Sequence, residues 1–313
     1  MSGPVTPVDA PPDQAPAPPE DHPCVEFLPS HLTRVGELEV RRALPRRARR
    51  NVGAWCFLDH MGPAKVTEQH GVDIGPHPHI GLQTVTWLFD GEILHRDSLG
   101  SEQLIRPGQL NLMTAGRGVA HAEESTGRYR GVLHGMQLWV AQPDSTRDGP
   151  PAFAHHADLP VFDVEQGAGT VIVGRLGDVT SPARRDSDHV GVELDLRRGT
   201  SVMPLEPAAE YALVVAVGAM SVGAREVEPG GLAYLGTGRD ELAITTTAPA
   251  RGVLIGGTPL DDPLLMWWNF VARTRSEISD AYDDWVAASE RFGTVASRLP
   301  RVPADPPQWH PRA

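Results

Sequence analysis

The chain has few cysteines and no long hydrophobic run. Its 313 residues include only Cys24 and Cys56, too few for a disulfide framework, so a reducing, cytoplasmic location is expected. No apolar run approaches the roughly 18 residues that span a bilayer, which argues against a membrane protein. The opening residues, Met-Ser-Gly-Pro, lack a basic region followed by an apolar one, so no secretory signal is expected.

Positive charge is also scarce. Lys and Arg total 28 against 40 Asp and Glu, and the formal net charge is −12. Because phosphate binding needs clustered cations, this balance argues against direct nucleic-acid binding. The exception is the arginine-rich run at residues 41–50, which we interpret as a solvated loop or edge strand. The alternative is an anion-binding or nucleic-acid patch.

Large apolar side chains are rare at both ends of the chain. Residues 1–23 are mostly Pro, Ala, Asp and Glu, and such a segment cannot bury enough surface to offset its ordering entropy. We therefore expect a disordered tail there and a second one at residues 294–313, although Trp309 could dock.

Turn residues are abundant between these tails. The chain holds 32 Gly and 30 Pro, which separate short β-branched or alternating runs such as residues 82–89 and 211–217. This pattern predicts an all-β protein made of sandwich, barrel or jelly-roll units, and the number of runs predicts two units in tandem. The join is expected within residues 142–160. One amphipathic helix is predicted over residues 274–292, where Ile278, Tyr282 and Trp285 recur at helical spacing.

Two pairs of strong metal ligands stand out. His77 and His79 form one pair, and His121 and Glu123 form the other. Residues i and i+2 of a β-strand project from the same face, so two such strands side by side would aim all four groups at one point. The prolines around the first pair favour extended backbone. The alternative is that these are ordinary surface residues, but two such pairs favour a metal site.

The ligand set suits a first-row transition metal, most naturally non-haem iron. Three imidazoles and one carboxylate leave two open positions on an octahedral ion for O2 or a chelating substrate, whereas they would close a tetrahedral zinc site. His95 could orient a ligand, move a proton or simply pair with Asp97. His60 and His134 have no companion ligands in the sequence, and Cys56 is expected to be a small buried residue.

Several motifs resemble those of the pirin family of bicupins. The strong ones are residues 57–63 (Phe-Leu-Asp-His-Met-Gly-Pro), 77–86 (His-Pro-His-Ile-Gly-Leu-Gln-Thr-Val-Thr), 91–100, and 105–123, which ends His-Ala-Glu. Residues 256–263 and 269–271 give a weaker match in the second half. The resemblance covers roughly residues 25–293. Family members often carry Glu at the position of Gln83 and Ser at that of Ala122.

The resemblance implies two tandem cupin barrels, the fold class being all-β jelly-roll. The expected divisions are an N-terminal cupin domain at 24–150 with the metal site, a metal-free C-terminal cupin domain at 151–258, and a segment at 259–293 whose helix packs across the domain junction. The family's ligand positions match His77, His79, His121 and Glu123. One divalent metal is expected, Fe2+, with Mn, Co, Ni, Cu and Zn as alternatives. General cupins take a carboxylate ligand at the position of Gln83, so Glu123 is the carboxylate to test.

The resemblance implies two functions. Some bacterial members are quercetin 2,3-dioxygenases, which open a flavonol ring with O2, and this predicts an oxidoreductase with a small aromatic substrate. Glu123, or His95 through water, would then accept the phenolic proton. Trp87, Phe89, Leu112 and Met113 are candidates for the walls of the site, although for each one taken separately a place in the core is the stronger interpretation. Other members resemble metal-dependent regulators that bind a transcription factor; the alternative is therefore a regulatory binding protein whose protein partner contacts residues 41–50. A third reading is a cupin with a structural metal.

Overall fold

The strands dominate the structure, a computed structural model that describes residues 25–36, 38–67, 71–260 and 264–310. Within this part the first-half strands are β1 (Glu26–Leu28), β2 (His31–Val35), β3 (Leu38–Leu44), β4 (Trp55–Val66), β5 (Ile74–His79), β6 (Leu82–Asp90), β7 (Ile93–Asp97), β8 (Glu102–Ile105), β9 (Leu110–Thr114), β10 (Val119–Glu124), β11 (Gly131–Ala141) and β12 (Ala152–His156).

The second half continues with short strands and ends in one helix. Its elements are β13 (Val161–Val164), β14 (Gly167–Val173), β15 (Arg175–Leu176), β16 (Val179–Thr180), β17 (His189–Leu196), β18 (Gly199–Pro204), β19 (Glu210–Val217), β20 (Met220–Val222), β21 (Arg225–Val227), β22 (Leu232–Gly236), β23 (Glu241–Thr246), β24 (Ala250–Gly257), β25 (Leu265–Trp267), β26 (Phe270–Ala272) and α1 (Arg275–Val286). The predicted N-terminal tail and Cys24 lie outside the described residues.

The strands form two barrels in tandem, each made of a seven-stranded and a four-stranded sheet. In the first barrel the sheet orders are β12-β9-β6-β11-β4-β3-β2 and β5-β10-β7-β8. In the second they are β1-β22-β19-β24-β17-β14-β13 and β18-β23-β20-β21. Two hairpins, β15-β16 and β25-β26, complete the strand set of the described residues. The predicted all-β fold of two barrels followed by a helix is confirmed.

Each barrel includes one edge strand that comes from the other half of the chain. Strand β1 pairs with β22 of the second barrel, with Phe27 opposite Ala233. Strand β12 pairs with β9 of the first barrel, with Phe153 opposite Met113. Sheet edges carry unpaired N–H and C=O groups, and an added strand satisfies them. The predicted domain limits at residues 24 and 150 therefore do not follow the sheets, because each assigns one of these strands to the wrong barrel.

The two large sheets pack face to face and bury an apolar core between the barrels. Trp87 and Met136 of the first barrel share this core with Val214 and Val253 of the second. The indole Nε1 of Trp55 donates across the junction to the carbonyl oxygens of Val190 and Gly256, both at 3.1 Å. As a result, strand β6 is buried on both faces from Leu82 to Phe89.

The helix packs on the small sheet of the first barrel. Its cap is Thr274, whose side-chain oxygen accepts a hydrogen bond from the backbone N–H of Glu277. The apolar face of the helix meets Ile80 and Phe270 in one cluster. A parallel β-bridge joins the same two residues. This close approach requires glycine at position 81, because its φ is +67° and a Cβ there would lie 2.2 Å from the Val271 carbonyl oxygen. The helix ends at Val286 rather than at residue 292.

The C-terminal segment folds back along the first barrel. Val302 donates its backbone N–H to the carbonyl of Pro76 at 2.9 Å. The Val302 carbonyl accepts from the indole N–H of Trp285 at 3.0 Å, and the Arg301 guanidinium lies 3.6 Å from the centroid of the same ring system. The prediction of a disordered tail is therefore wrong for residues 294–310. Backbone hydrogen bonds, aromatic contacts and the packing of its few apolar residues, Val295 and Trp309 among them, anchor the segment. Residues 311–313 lie outside the described part.

Candidate metal centre

Strands β5 and β10 bring the two predicted ligand pairs together. They run antiparallel as neighbours in the small sheet, and His121 lies directly opposite His77. The ladder shifts between His121 and Glu123, so that Glu123 faces Ile74. The i, i+2 pattern thus places the histidines of both strands on one face, while the irregularity changes the position of the carboxylate.

Three imidazoles converge. The ligand nitrogens of His77, His79 and His121 all lie within 4.8 Å of one another, and the Nε2 atoms of His79 and His121 are 3.0 Å apart. Among the described residues this is the one group of three or more His, Cys, Asp or Glu side chains that meets this distance.

Backbone carbonyls orient two of the rings from behind. His77 Nδ1 lies 2.9 Å from the Gly75 carbonyl, and His79 Nδ1 lies 3.1 Å from the Asn269 carbonyl. A carbonyl only accepts, so both Nδ1 atoms carry the proton and both Nε2 atoms are left with a free lone pair. This is the arrangement in which histidine binds a metal.

His95 and Asp97 stand behind the third ring. His95 Nδ1 lies 3.4 Å from His121 Nδ1, and His95 Nε2 lies 3.1 Å from Asp97 Oδ2. Asp97 is itself held by the backbone N–H groups of Leu99 and Ser101. His95 stacks on Phe153 of β12 and does not line the cavity described below. It therefore occupies the orienting position rather than a substrate-facing one.

The imidazoles are neutral at pH 7. Burial lowers the pKa of His77 to about 4. Burial, reinforced by the neighbouring imidazoles, lowers the pKa values of His79 and His121 well below the ordinary value. Because a metal binds the deprotonated ring, these groups need no proton removal before they bind one. The donor set therefore fits a divalent transition metal.

Glu123 reaches the same cavity but is not in the three-imidazole group. Its side chain is buried, and its carboxylate has no hydrogen-bond partner among the described residues. Burial raises the pKa of Glu123 to about 7. A carboxylate held in this way is a proton acceptor of suitable basicity near neutral pH.

The histidines open into a cavity of about 530 Å³, a size common for small-molecule sites. The Phe57 and Trp139 rings stack on one wall with centroids 4.0 Å apart. Trp139 also meets His79 edge-on at 5.2 Å. The rest of the described lining mixes apolar and polar side chains: Arg34, Val35, Leu38, Val40, Arg42, Asp59, Met61, Asp73, Ile74, Gln137, Trp268, Asn269 and Val302.

Two family models match this chain. The model described as Pirin matches residues 37–140, and the model described as Pirin C-terminal cupin domain matches residues 191–293. The chain belongs to the pirin family. Both cupin domains of the predicted resemblance are therefore present.

Relatives with related names cover most of this pirin. A Pseudomonas aeruginosa protein provisionally named a quercetin 2,3-dioxygenase is 45% identical over 276 residues, 88% of this chain and 87% of that protein. A Caulobacter vibrioides pirin-like protein is 38% identical over 261 residues, 81% of this chain and 90% of that protein. The crystal structure of quercetin 2,3-dioxygenase from Acinetobacter baumannii has a TM-score of 0.88 at 40% identity and covers 92% of this chain and 97% of that one. In the described part of the chain no helix has the length and hydropathy needed to cross a membrane.

The predicted wall residues do not line the cavity of this pirin. Trp87, Phe89 and Leu112 pack in the core between the barrels, and Met113 packs in a separate cluster with Phe57. The core interpretation is therefore confirmed for all four residues. Strands β6 and β9 are buried on both faces, so their apolar residues do not indicate which face lines the cavity. The observed walls come from β2 to β5, β10 and β11 and from the C-terminal part of the chain. On β4 the lining residues alternate along the strand, with Asp59 between Phe57 and Met61.

Gln83 is remote from the candidate metal site. Its amide donates to the Thr114 hydroxyl at 3.0 Å, and its side chain is fully buried away from the cavity. Asp59 and Asp73 line the cavity as well, so Glu123 is not its only carboxylate.

Two isolated histidines meet in the structure. His60 Nε2 lies 2.7 Å from His134 Nε2 on the neighbouring strand, and both rings are buried. The prediction that these two histidines have no companion is therefore wrong. They are 74 positions apart in the chain, and only the pairing of β4 with β11 brings them together. Cys56 is buried as expected, and burial raises the pKa of its thiol to about 12.

The arginine-rich run is largely occupied by contacts within the chain. Arg41 donates to the Gly62 carbonyl, and Arg42 forms a bidentate pair with Asp59. Arg49 pairs with Glu26 and lies 3.6 Å from the Tyr234 ring centroid. The expectation of a solvated loop or edge strand is wrong for Arg41 and Arg42, since β3 is an inner strand between β4 and β2, whereas Arg49 lies in the loop that follows β3. Arg47 and Arg50 are exposed.

Apolar side chains fill the interior of the second barrel. Val192, Leu213 and Leu254 belong to one buried cluster with residues from most of its strands. That this barrel binds no metal stays a prediction.

Proposed function

We propose that this pirin is a mononuclear metal-dependent dioxygenase that opens the heterocyclic ring of a flavonol-type aromatic such as quercetin with O2. The observation that carries the proposal is the convergence of three neutral imidazoles on one point of a cavity with aromatic walls. The likeness to the quercetin 2,3-dioxygenase structure from Acinetobacter baumannii supports it.

The metal is assigned to the Nε2 side of His77, His79 and His121. Imidazole ligands suit Fe2+, which we propose, and also Mn, Co, Ni, Cu and Zn. A redox-active metal held there would supply the one-electron chemistry that lets O2 react with a closed-shell aromatic. The ligand role of Glu123 stays a prediction.

Glu123 is assigned as the general base. Its carboxylate faces the cavity beside the three imidazoles and has no hydrogen-bond partner among the described residues. A substrate hydroxyl directed at the imidazole group would therefore meet an acceptor for its proton at a Glu123 carboxylate oxygen. His95 is assigned a positioning role, because it lies behind His121 and outside the cavity lining.

The aromatic wall would orient the substrate. A planar ring can pack against the Phe57–Trp139 stack, which borders His79, so its oxygens would face the imidazoles. Trp268 and Val302 contribute further apolar surface that excludes water from the reacting atoms.

The test is O2 uptake and ring-opened product from quercetin with iron-loaded protein. Glu123→Gln removes the base while keeping the side-chain size, so we expect kcat to fall about 100-fold or more. Glu102→Gln makes the same change at an exposed position outside the cavity and should keep wild-type turnover. The dioxygenase proposal fails if the iron-loaded wild-type protein consumes no O2 with any flavonol. The base assignment alone fails if Glu123→Gln turns over as fast as wild type.

The regulatory alternative has less support. It relied on residues 41–50 as a contact surface, and Arg41, Arg42 and Arg49 are held by partners within the chain. The described structure offers no separate feature that favours it.

A further inference from the structure

One wall of the cavity has an ordered pattern along two neighbouring strands. In the β4–β11 ladder, Phe57 pairs with Trp139 and Asp59 pairs with Gln137. All four side chains line the cavity. Directly opposed residues in an antiparallel pair have Cβ atoms about 5 Å apart, so the wall consists of an aromatic pair followed by a polar pair.

The two pairs follow one another along the strands. Trp139 contacts the His79 ring at 5.2 Å, so the aromatic pair borders the imidazole group. Asp59 and Gln137 come two residues further along their strands, a step of about 7 Å. A planar ligand lying on the aromatic pair would therefore reach the polar pair with one of its edges.

Gln137 presents hydrogen-bond donors there. Its carbonyl oxygen accepts from the Thr86 hydroxyl at 3.0 Å, which fixes the amide orientation. The remaining Nε2 group has two N–H donors and no partner among the described residues. Because these donors lie at the cavity wall and have no acceptor within the described protein, they are available to a ligand oxygen.

Asp59 presents an acceptor beside these donors. Arg42 donates to both of its carboxylate oxygens, from Nε at 2.8 Å and Nη2 at 2.7 Å, and the Arg42 guanidinium also lies 4.6 Å from the Phe57 ring centroid. Each carboxylate oxygen keeps a second lone pair. Arg42 is thus a positioning residue that fixes the Asp59 carboxylate in the wall.

We propose that Asp59 and Gln137 form a hydroxyl-recognition subsite, so that the preferred substrates are polyhydroxylated aromatics with a hydroxyl group that reaches this pair. A hydroxyl both donates and accepts, and it matches the adjacent Asp59 acceptor and Gln137 donor; an unsubstituted ring leaves both unpaired. This inference deepens the proposed function and rests on it for the orientation of the substrate.

The test compares two flavonols that share the metal-binding hydroxyl and ketone. Quercetin carries further ring hydroxyls, and 3-hydroxyflavone has none. We expect the iron-loaded protein, in the absence of O2, to bind quercetin about ten-fold or more tightly than 3-hydroxyflavone in calorimetry. In Gln137→Met, which keeps the side-chain length, this ratio should fall at least several-fold. Thr86→Val combined with Gln137→Met avoids an unpaired Thr86 hydroxyl if the single variant does not fold.

The matched control is Gln103→Met on β8, outside the cavity, which should keep the wild-type ratio. The subsite is overturned if the wild-type protein binds the two flavonols equally, if it binds neither, or if Gln137→Met keeps the wild-type ratio. Turnover is measured separately. Discrimination between the flavonols without any O2 consumption would refute the dioxygenase proposal and leave the subsite standing.

Discussion

Val302 donates its backbone N–H to the carbonyl of Pro76 at 2.9 Å. This hydrogen bond joins the C-terminal segment to strand β5, next to the candidate ligand His77. Strand β5 is the edge of its sheet, so one of its sides has no neighbouring strand. The last part of the chain covers that edge, and the Val302 side chain lines the metal cavity. Gly75 allows this approach, because a Cβ there would lie 2.0 Å from the Pro300 carbonyl oxygen. The C-terminal segment is therefore part of the site.

Replacing Val302 by proline tests that contact. Proline lacks the N–H, so the hydrogen bond to Pro76 is lost, and we expect the free energy of unfolding to fall by about 1 kcal/mol, with weaker metal retention. Val302→Ala keeps the N–H and is the control for the loss of side-chain contacts. Denaturant titration and metal content measure the two effects. Equal stability and metal retention in the proline and alanine variants would mean that the hydrogen bond has no role.

Removing the His95 ring tests whether it positions His121. We expect His95→Phe to keep the stack on Phe153 but to lower metal affinity roughly 10–100-fold, because His121 loses the group that fixes its ring orientation. Competition with a metal chelator gives the affinity. His31→Phe makes the same change at an exposed position of strand β2 and should not change the metal affinity. Wild-type affinity in His95→Phe would refute the positioning role.

The buried His60–His134 pair makes stability depend on pH. Burial, with His134 and Arg41 nearby, lowers the pKa of His60 to about 3, whereas the unfolded chain has an ordinary pKa of about 6.5. Between these values the unfolded state binds a proton that the folded state does not, so the free energy of unfolding falls as the pH drops from about 6.5 towards 3. His60→Gln removes this contribution.

The measurement is the free energy of unfolding at several pH values between 7 and 4. We expect a shallower acid decline for His60→Gln than for wild type, while His31→Gln, at an exposed position, should follow the wild-type slope. Parallel curves for wild type and His60→Gln would contradict the account.

The sequence predicts the ligand strands because their chemistry is local. Two histidines at i and i+2, fixed by prolines, can be recognised without knowing what packs on them, and the same period placed His121 on the matching face. The strand turns and the helix follow from equally local patterns. The resemblance to the pirin family additionally predicts that the strands form two cupin barrels in tandem.

The remaining features depend on contacts that are distant in the chain. The exchange of β1 and β12 between barrels, the meeting of His60 with His134, and the docking of Val302 on Pro76 all arise from sheet register or edge covering. The sequence does not identify the cavity walls for a related reason. A sheet buried on both faces has apolar residues on each, and only the packing of the second barrel decides which face is the interior.

The most direct test of the account is the metal content of the purified protein after growth with iron. We predict one transition metal ion per chain in the wild type, its loss in His77→Ala and His121→Ala, and its retention in His155→Ala, where the replaced histidine contacts Asn111 outside the site. Wild-type protein that holds no transition metal, or His121→Ala protein that holds as much as wild type, would contradict the assignment of the three imidazoles as the metal centre.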